Sequence, residues 1–290
     1  MRLFDVTRGE PALTVLMPLR NHHPELLRRA LASLFAQTSP AWRLLVVVEA
    51  ADVRRFAGLL APELGDARVR LVANEGRKLA GAFNTGMRHA TTDFVAILLA
   101  DDLWSPDAVD VLARAIAGHP EVDFFHSARA IVDEHDRRIS SVHQSRPSFT
   151  LDDFRWTSPV KHLLCWRRAL ALAIGGMDES LNSVGPDDYD FPWCMAERGA
   201  TFHAIEECLY LYRDHREAFR LTTHLPLSVH RAELRKILRK HGVDPTTIRT
   251  RLTLSEQSYL RQCLYASPVD RLWKNLRGVD ARSGWRETYR

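Results

Sequence analysis

Residues 95–107 read VAILLADDLWSPD, an apolar run that ends on two adjacent aspartates, Asp101 and Asp102. Of the six residues before Asp101, four are Val, Ile or Leu and two are Ala. A run without polar alternation is the pattern of a strand buried on both faces, as in a parallel sheet covered by helices. Acidic groups cannot stay unpaired in such a core. The pair therefore belongs at the carboxyl end of a central strand, where open α/β sheets bind their ligands. Two carboxylates there can hold a hard divalent cation and, through it, the phosphates of a nucleotide.

The surrounding sequence supplies the rest of such a sheet. Residues 13–17, 44–48, 69–72 and 94–99 read as strands. Residues 24–37, 54–64 and 78–90 carry apolar positions at helical spacing, and Ser105 with Pro106 reads as the cap and first turn of a helix to about Gly118. Four alternations of strand and helix predict a parallel, doubly wound sheet with right-handed crossovers. Further on, 122–125, 128–132 and 201–204 read as strands, 133–138 as a turn, and 144–159 as a polar connection. Residues 164–174 and 188–198 read as helices, and the last 65 residues are helical in pattern.

Composition narrows the classes. Hydrophobic residues make up 46%, enough for a full core. Cys165, Cys194, Cys208 and Cys263 form no CxxC pair, which disfavours a zinc or disulfide framework and fits a reducing cytoplasm. No secretory signal and no apolar run of membrane-spanning length is expected. The net charge of +4 is uneven, with arginine and lysine dense from Arg231 onward and Trp273 and Trp285 nearby. That region reads as a solvated helical face or as a surface for an anionic membrane, and nucleic acid is not expected as a partner.

Four polar clusters fall at strand ends or in loops: Pro18-Leu19-Arg20-Asn21, Glu49, Asp101–Asp102, and Gly185-Pro-Asp-Asp-Tyr-Asp190. Their convergence on one sheet edge is what a nucleotide site needs. Locally, Asp187 or Asp188 could also be a helix cap. The stretch PLRNHHPE after the first strand has no glycine, which argues against nucleotidyl transfer and against a dinucleotide-binding dehydrogenase.

In order, PLRN, VVVE, NEGRKLAGAFNTGMRHA, LLADDLWSPD, GGMDESL, GPDDYDFPWCMAERG and YLYRDH resemble the family 2 inverting glycosyltransferases of the A-type nucleotide-sugar glycosyltransferase fold, over roughly residues 12–216. The resemblance implies a Rossmann-like, doubly wound, mostly parallel sheet with a helical C-terminal appendage. It implies a catalytic domain over 1–220, with a nucleotide-binding half over about 12–120 and an acceptor half over about 121–220, followed by the appendage over 221–290. The implied reaction moves a sugar from a nucleoside diphosphate sugar to a carbohydrate, lipid-linked or small-molecule hydroxyl. That chemistry needs the diphosphate charge neutralised, the hydroxyl deprotonated and the donor held in line.

Residue by residue, Asp101 is similar to the last aspartate of the family's Asp-x-Asp motif, with Asp102 beside it and His215 matching a late histidine, together a set for Mn2+ or Mg2+. Asp188 matches the general base, and Asp187 stands where the family has glutamate. Donor recognition is implied for Pro18, Arg20, Asn21, Glu49, Asn84 and Gly86, with Arg77 and Lys78 able to offset diphosphate charge. Trp156, Trp166 and Trp193 are candidates for stacking on a sugar, Trp193 equally for core packing. Leu99 replaces the first aspartate of the motif and Ala50 replaces a second acid after strand two. These departures support the alternative of a catalytically impaired nucleotide-sugar-binding or scaffold protein; Asp101, Asp188 and His215 oppose it. The implied setting is the cytoplasm or the inner membrane surface, in polysaccharide synthesis.

Overall fold

The structure, a computed structural model, describes residues 11–20, 22–181, 185–214, 226–264 and 267–278. Strand β1 (Leu13–Leu19) is central because every second side chain finds a different apolar layer. Val15 and Met17 pack in one cluster with Leu27, Leu31 and Leu34 of helix α1 (Pro24–Phe35). Leu16 packs in the opposite cluster with Ala80, Phe83 and Met87 of helix α3 (Lys78–His89). Strand β2 (Trp42–Val48) pairs in parallel with one side of β1, and β3 (Val69–Ala73) continues outward beyond the short helix α2 (Val53–Leu59). Strand β4 (Phe94–Ile97) returns to the other side of β1, also in parallel. The order of strands therefore reverses between β1 and β4, a switch point of the kind at whose carboxyl ends open α/β sheets bind their ligands.

Past β4 come β5 (Leu103–Trp104), α4 (Ala108–Gly118) and β6 (Phe124–Val132), then α5 (Leu151–Trp156), β7 (Leu164–Arg167) and α6 (Arg168–Ala173). A single turn of π-helix (Pro186–Asp190) runs into α7 (Phe191–Glu197), and β8 (Phe202–Arg213) completes an eight-stranded sheet of order β3-β2-β1-β4-β7-β6-β8-β5. The four strands of the first 97 residues are parallel as expected, while β7 and β5 run antiparallel to their neighbours.

Several expectations are corrected. Residues 164–174 are a strand and a short helix, not one helix. Cys165 packs on one face of the sheet and Leu164 and Trp166 on the other, a period of two, and β7 fills the space between β4 and β6. In place of the two strands expected over 122–125 and 128–132, the single strand β6 is held by a long parallel pairing with β8 that absorbs its irregularity in a bulge near Ser127–Ala128. Ser105 does not cap α4; its hydroxyl donates to Asp107 Oδ1 (2.7 Å) and the helix starts two residues later than expected. The 144–159 connection contains α5, opened by a capping box in which Thr150 N–H donates to Asp153 Oδ2 at 2.7 Å.

The C-terminal helices α8 (Leu227–Lys240) and α9 (Pro245–Leu264) are packed on the body. Leu234, Ile237, Leu238 and Leu252 share an apolar cluster with Phe154 of α5 and Tyr189 and Trp193 around α7. Helix α10 (Pro268–Arg277) follows.

Gly81 tests how closely α3 is seated. A Cβ there would lie 2.5 Å from the backbone carbon of Gly76, which cannot yield as a side chain could. Gly81→Ala is expected to destabilise by about 1–3 kcal/mol in chemical denaturation. Gly118→Ala, with open space around it, should be neutral or stabilising by up to about 1 kcal/mol.

Candidate active site

At the carboxyl end of β4 the chain turns through Asp101 into a buried Asp102, only 1% exposed. Asp102 Oδ2 accepts the Tyr210 hydroxyl at 2.7 Å, and Oδ1 accepts the Arg213 backbone N–H at 2.7 Å. The Tyr210 oxygen in turn accepts from the Leu99 N–H at 3.4 Å. Burial and the neighbouring Asp101 push the Asp102 carboxyl well above its usual range, opposed by these bonds and by the charge of Arg129. Arg213 binds the Asp101 carbonyl through Nε and the Asp133 carbonyl through Nη1, both at 2.7 Å, and pairs with Asp136 at 2.5 Å. Asp102 is therefore a brace with both oxygens engaged, whereas Asp101 remains partly exposed.

The second acid pair sits on the π-turn. Gly185 starts it at a φ of 52°, and a Cβ there would lie 2.7 Å from Asp188 Oδ1, so glycine is required both by conformation and by closeness to that carboxyl. Asp187 Oδ2 lies 3.4 Å from His162 Nε2. The His162 ring lies 5.2 Å from the ring of Tyr210, the same tyrosine that binds Asp102. Tyr210 and His162 thus join the two acid pairs. Asp188 is half-buried as a residue. Its pKa is raised by burial and by Asp187, against the charges of His162, Arg129 and Lys161. Arg129, on β6, is 8% exposed, and its Nε has no hydrogen-bond partner. Its charge acts on both Asp102 and Asp188.

The donor-side residues divide. Pro18 lies opposite Val47 near the end of β1, and Arg20 follows β1 as an exposed side chain. Glu49 follows β2, its Oε1 accepting from Asn74 Nδ2 at 3.3 Å; Asn74 Oδ1 in turn accepts from Gly76 N–H (2.9 Å) and the Thr85 hydroxyl (3.2 Å). These residues share the edge that carries Asp101. Asn84 and Gly86 have other work. The Asn84 amide binds the Met177 N–H and carbonyl (2.7 and 2.9 Å) and Glu179 (3.0 Å). Gly86 lets α3 lie against Leu16, since a Cβ would approach its Cδ2 to 2.8 Å. Trp166 and Trp193 are core residues: the Trp166 indole N–H reaches Met87 Sδ (3.3 Å) and Trp193 stacks on His241 at 4.0 Å. Trp156 is 43% exposed. Asn21 and His215 lie outside the described residues.

Sequence reading missed Tyr210, Arg213, His162 and Arg129, and it missed the clamp behind Asp188. Asp190, 1% exposed, binds Lys240 Nζ at 2.8 Å and His241 Nε2 at 3.0 Å, both from the end of α8. His241 Nδ1 reaches Glu197 Oε1 at 2.8 Å. Asp190, Cys194 and His241 have ligand atoms within 4.8 Å of one another, but the Lys240 ammonium already occupies the carboxylate, so the cluster is a filled ion-pair network. Burial alone would lower the His241 pKa; its bonds to Asp190, Cys194 and Glu197 raise it to about 9.

The family described as Glycosyl transferase family 2 matches residues 14–171. The chain belongs to this family. It is similar to the O-antigen biosynthesis protein RfbC of Myxococcus xanthus, 28% identical over 206 residues, covering 70% of this chain and 16% of that protein. It is also similar to the succinoglycan biosynthesis protein ExoW of Rhizobium meliloti, 39% identical over 100 residues, covering 33% of this chain and 31% of that protein. The chain thus spans less than two thirds of the length of these relatives. Its fold is similar to S. aureus TarS 1–349 in complex with UDP-GlcNAc, with a TM-score of 0.62 at 17% identity, covering 90% of this chain and 75% of that one. It is likewise similar to the mannosyltransferase PcManGT from Pyrobaculum calidifontis in complex with GDP-Man and Mn2+, with a TM-score of 0.55 at 24% identity, covering 87% and 70%. The glycosyltransferase fold expected from the motifs is thereby established. Among the described residues no helix is long and apolar enough to cross a membrane.

The His241 network makes a signed prediction. A histidine whose folded pKa is raised to about 9 adds stability that is full below its unfolded pKa and lost as pH rises through about 9. The wild type should lose up to about 3 kcal/mol between pH 6.5 and pH 9.5 from this group. In urea denaturation across that range, His241→Gln should be less stable at low pH and should lack that loss.

Proposed function

We propose that this chain moves a sugar from a nucleoside diphosphate sugar to an acceptor hydroxyl by direct displacement, inverting the anomeric carbon, with Asp188 as general base. The observation that carries the reading is the joining of the two acid pairs through Tyr210 and His162 at the carboxyl edge where β1 and β4 diverge. One pair stands at the carboxyl end of β4, and the other carries a carboxyl whose pKa is raised by burial and by its neighbour. Retention of both weighs against a scaffold that has lost its chemistry.

In this reading Pro18, Arg20, Asn21 and Glu49 hold the nucleoside, with Asn74 orienting Glu49. Asp101 offers the hard oxygen that suits Mn2+ or Mg2+, which fill their remaining positions with water and phosphate oxygens. Asp102 positions Asp101, and Leu99 offers no ligand. His215 follows Arg213 by two residues and is assigned to the same cation. When bound, such a cation neutralises charge on the departing diphosphate. Arg129 supplies further positive charge from a buried position between the acid pairs. Asp188 accepts the proton of the attacking hydroxyl, and Asp187, tethered to His162, fixes the turn that presents it. The relatives named for O-antigen and succinoglycan biosynthesis support a surface-polysaccharide acceptor, carried on a lipid or free, met at the cytoplasmic side of the membrane.

Asp188→Asn should lower kcat by about 10²–10⁴ while leaving nucleotide affinity unchanged. The acid limb of the wild-type pH–rate profile should lie above the ordinary carboxylate pKa of about 4, since activity falls as Asp188 is protonated. Calorimetry with UDP and GDP, with and without Mn2+, tests the donor site, and absence of binding by every nucleoside diphosphate would refute the reading.

Arg129→Met removes a buried charge that acts on both acid pairs. Loss of a charged hydrogen bond is worth about 1.5–3 kcal/mol, so nucleoside diphosphate binding should weaken by about tenfold or more. Unaltered affinity in the same calorimetric titration would remove Arg129 from the donor site.

A further inference from the structure

Away from the cleft, α8 and α9 enclose a pocket of about 330 Å3. Arg231, Arg235 and Arg239 line it from α8, four residues apart and so on one helix face, and Arg249 faces them from α9. The floor is apolar, made by Val243, Ile248 and Leu252, all buried. Arg231 pairs with Glu256. Arg235, Arg239 and Arg249 have no ion pair with an acid among the described residues.

This arrangement works against the helix itself. Like charges four apart on a helix repel by a few tenths of a kcal/mol per pair. A surface needed only for solubility would interleave acids. Several guanidiniums on concave, low-dielectric walls instead focus positive potential into one space. Planar guanidiniums grip phosphate oxygens two at a time, and a multiply charged anion satisfies several forks at once. The volume lies at the small end of ligand pockets, room for a phosphate or diphosphate head and the start of an attached group. The apolar floor suits that attached group.

We propose that the pocket between α8 and α9 is a binding site for a phosphate-bearing ligand, a mono- or diphosphate ester held by Arg235, Arg239 and Arg249. The proposal does not rest on the sugar-transfer reading, since no residue of the acid pairs lines this space. The ester has two possible sources, a soluble phosphate ester or a lipid headgroup. Helix α10 favours the lipid. Val269, Leu272 and Leu276 are 63%, 61% and 78% exposed there, and Arg277 stacks on Trp273 at 4.5 Å. Exposed apolar positions accompanied by arginine and tryptophan suit a helix lying in a membrane interface.

The test uses the full chain with two probes: inorganic pyrophosphate in calorimetry without divalent cation, and phosphatidylcholine vesicles with or without phosphatidylglycerol in co-sedimentation. The variant carries Arg235→Gln, Arg239→Gln and Arg249→Gln. It should bind pyrophosphate at least tenfold more weakly than wild type, with a denaturation midpoint no lower than wild type and nucleoside diphosphate affinity unchanged. A parallel Arg→Lys triple variant keeps the charge and should fall between the two; it also carries the comparison if the Gln variant folds poorly. Loss of vesicle binding in the Gln variant, and in Leu272→Glu/Leu276→Glu with pyrophosphate binding intact, identifies the lipid source. A pyrophosphate difference without vesicle binding identifies a soluble ester. Equal behaviour of wild type and both triple variants toward both probes, or no binding of either probe by wild type, overturns the proposal.

Discussion

A carboxylate buried to 1% exposure at the end of a central strand must have its oxygens met, or it would unfold the site around it. Asp102 is met by Tyr210 and by the Arg213 backbone, both on β8, a strand 108 and 111 residues further along. That single group ties the turn after β4 to the far side of the sheet. Arg213 then spreads the connection to the Asp101 carbonyl, the Asp133 carbonyl and Asp136. Breaking one partner of a buried charge network leaves the other uncompensated, a penalty of about 3–5 kcal/mol. The position of Asp101 thus depends on β8, and β8 depends on Asp102.

The π-turn is held by a similar device of opposite origin. Asp190 follows Asp188 by two residues and is met by Lys240 and His241, 50 and 51 residues on in sequence. Trp193 stacks on His241 with an interplanar angle of 3°, and α8 and α9 share an apolar cluster with Tyr189 and Trp193. The C-terminal helices therefore hold the π-turn that carries Asp188 in place. A substitution on α8 that loosens this contact acts on Asp188 without touching any ligand.

What the sequence discloses follows from the range of the interactions involved. The strands up to Ile97 are legible because each is a short, mostly apolar run between helices of ordinary periodicity, and their pairing needs only parallel neighbours. Residues 164–174 mislead because Leu164, Cys165 and Trp166 are apolar without a break, which suits a buried helix or a strand alike. Their fate is decided by the gap between β4 and β6. Asp101 and Asp188 are legible through local motifs. Tyr210, His162 and Arg129 are not, because each acts on a residue 25 or more positions away and carries no local pattern. Asn84 and Gly86 sit in a motif that reads as donor contact, yet the Asn84 amide is taken by Met177 and Glu179, and Gly86 by the closeness of Leu16.

Leu99 and Arg129 are best understood together. With leucine in place of an aspartate, the edge beside Asp101 presents one carboxylate fewer to a divalent cation, and such a site binds a hard cation less tightly. On the proposed reading the diphosphate still has to lose its charge repulsion. Arg129 offers a guanidinium from a buried position, where the effective dielectric is far below that of water. It already offsets the raised pKa values of Asp102 and Asp188. One residue thus acts on both acid pairs and, on the proposed reading, on the diphosphate as well. A fixed cation of this kind replaces part of what the missing carboxylate would have recruited from solution.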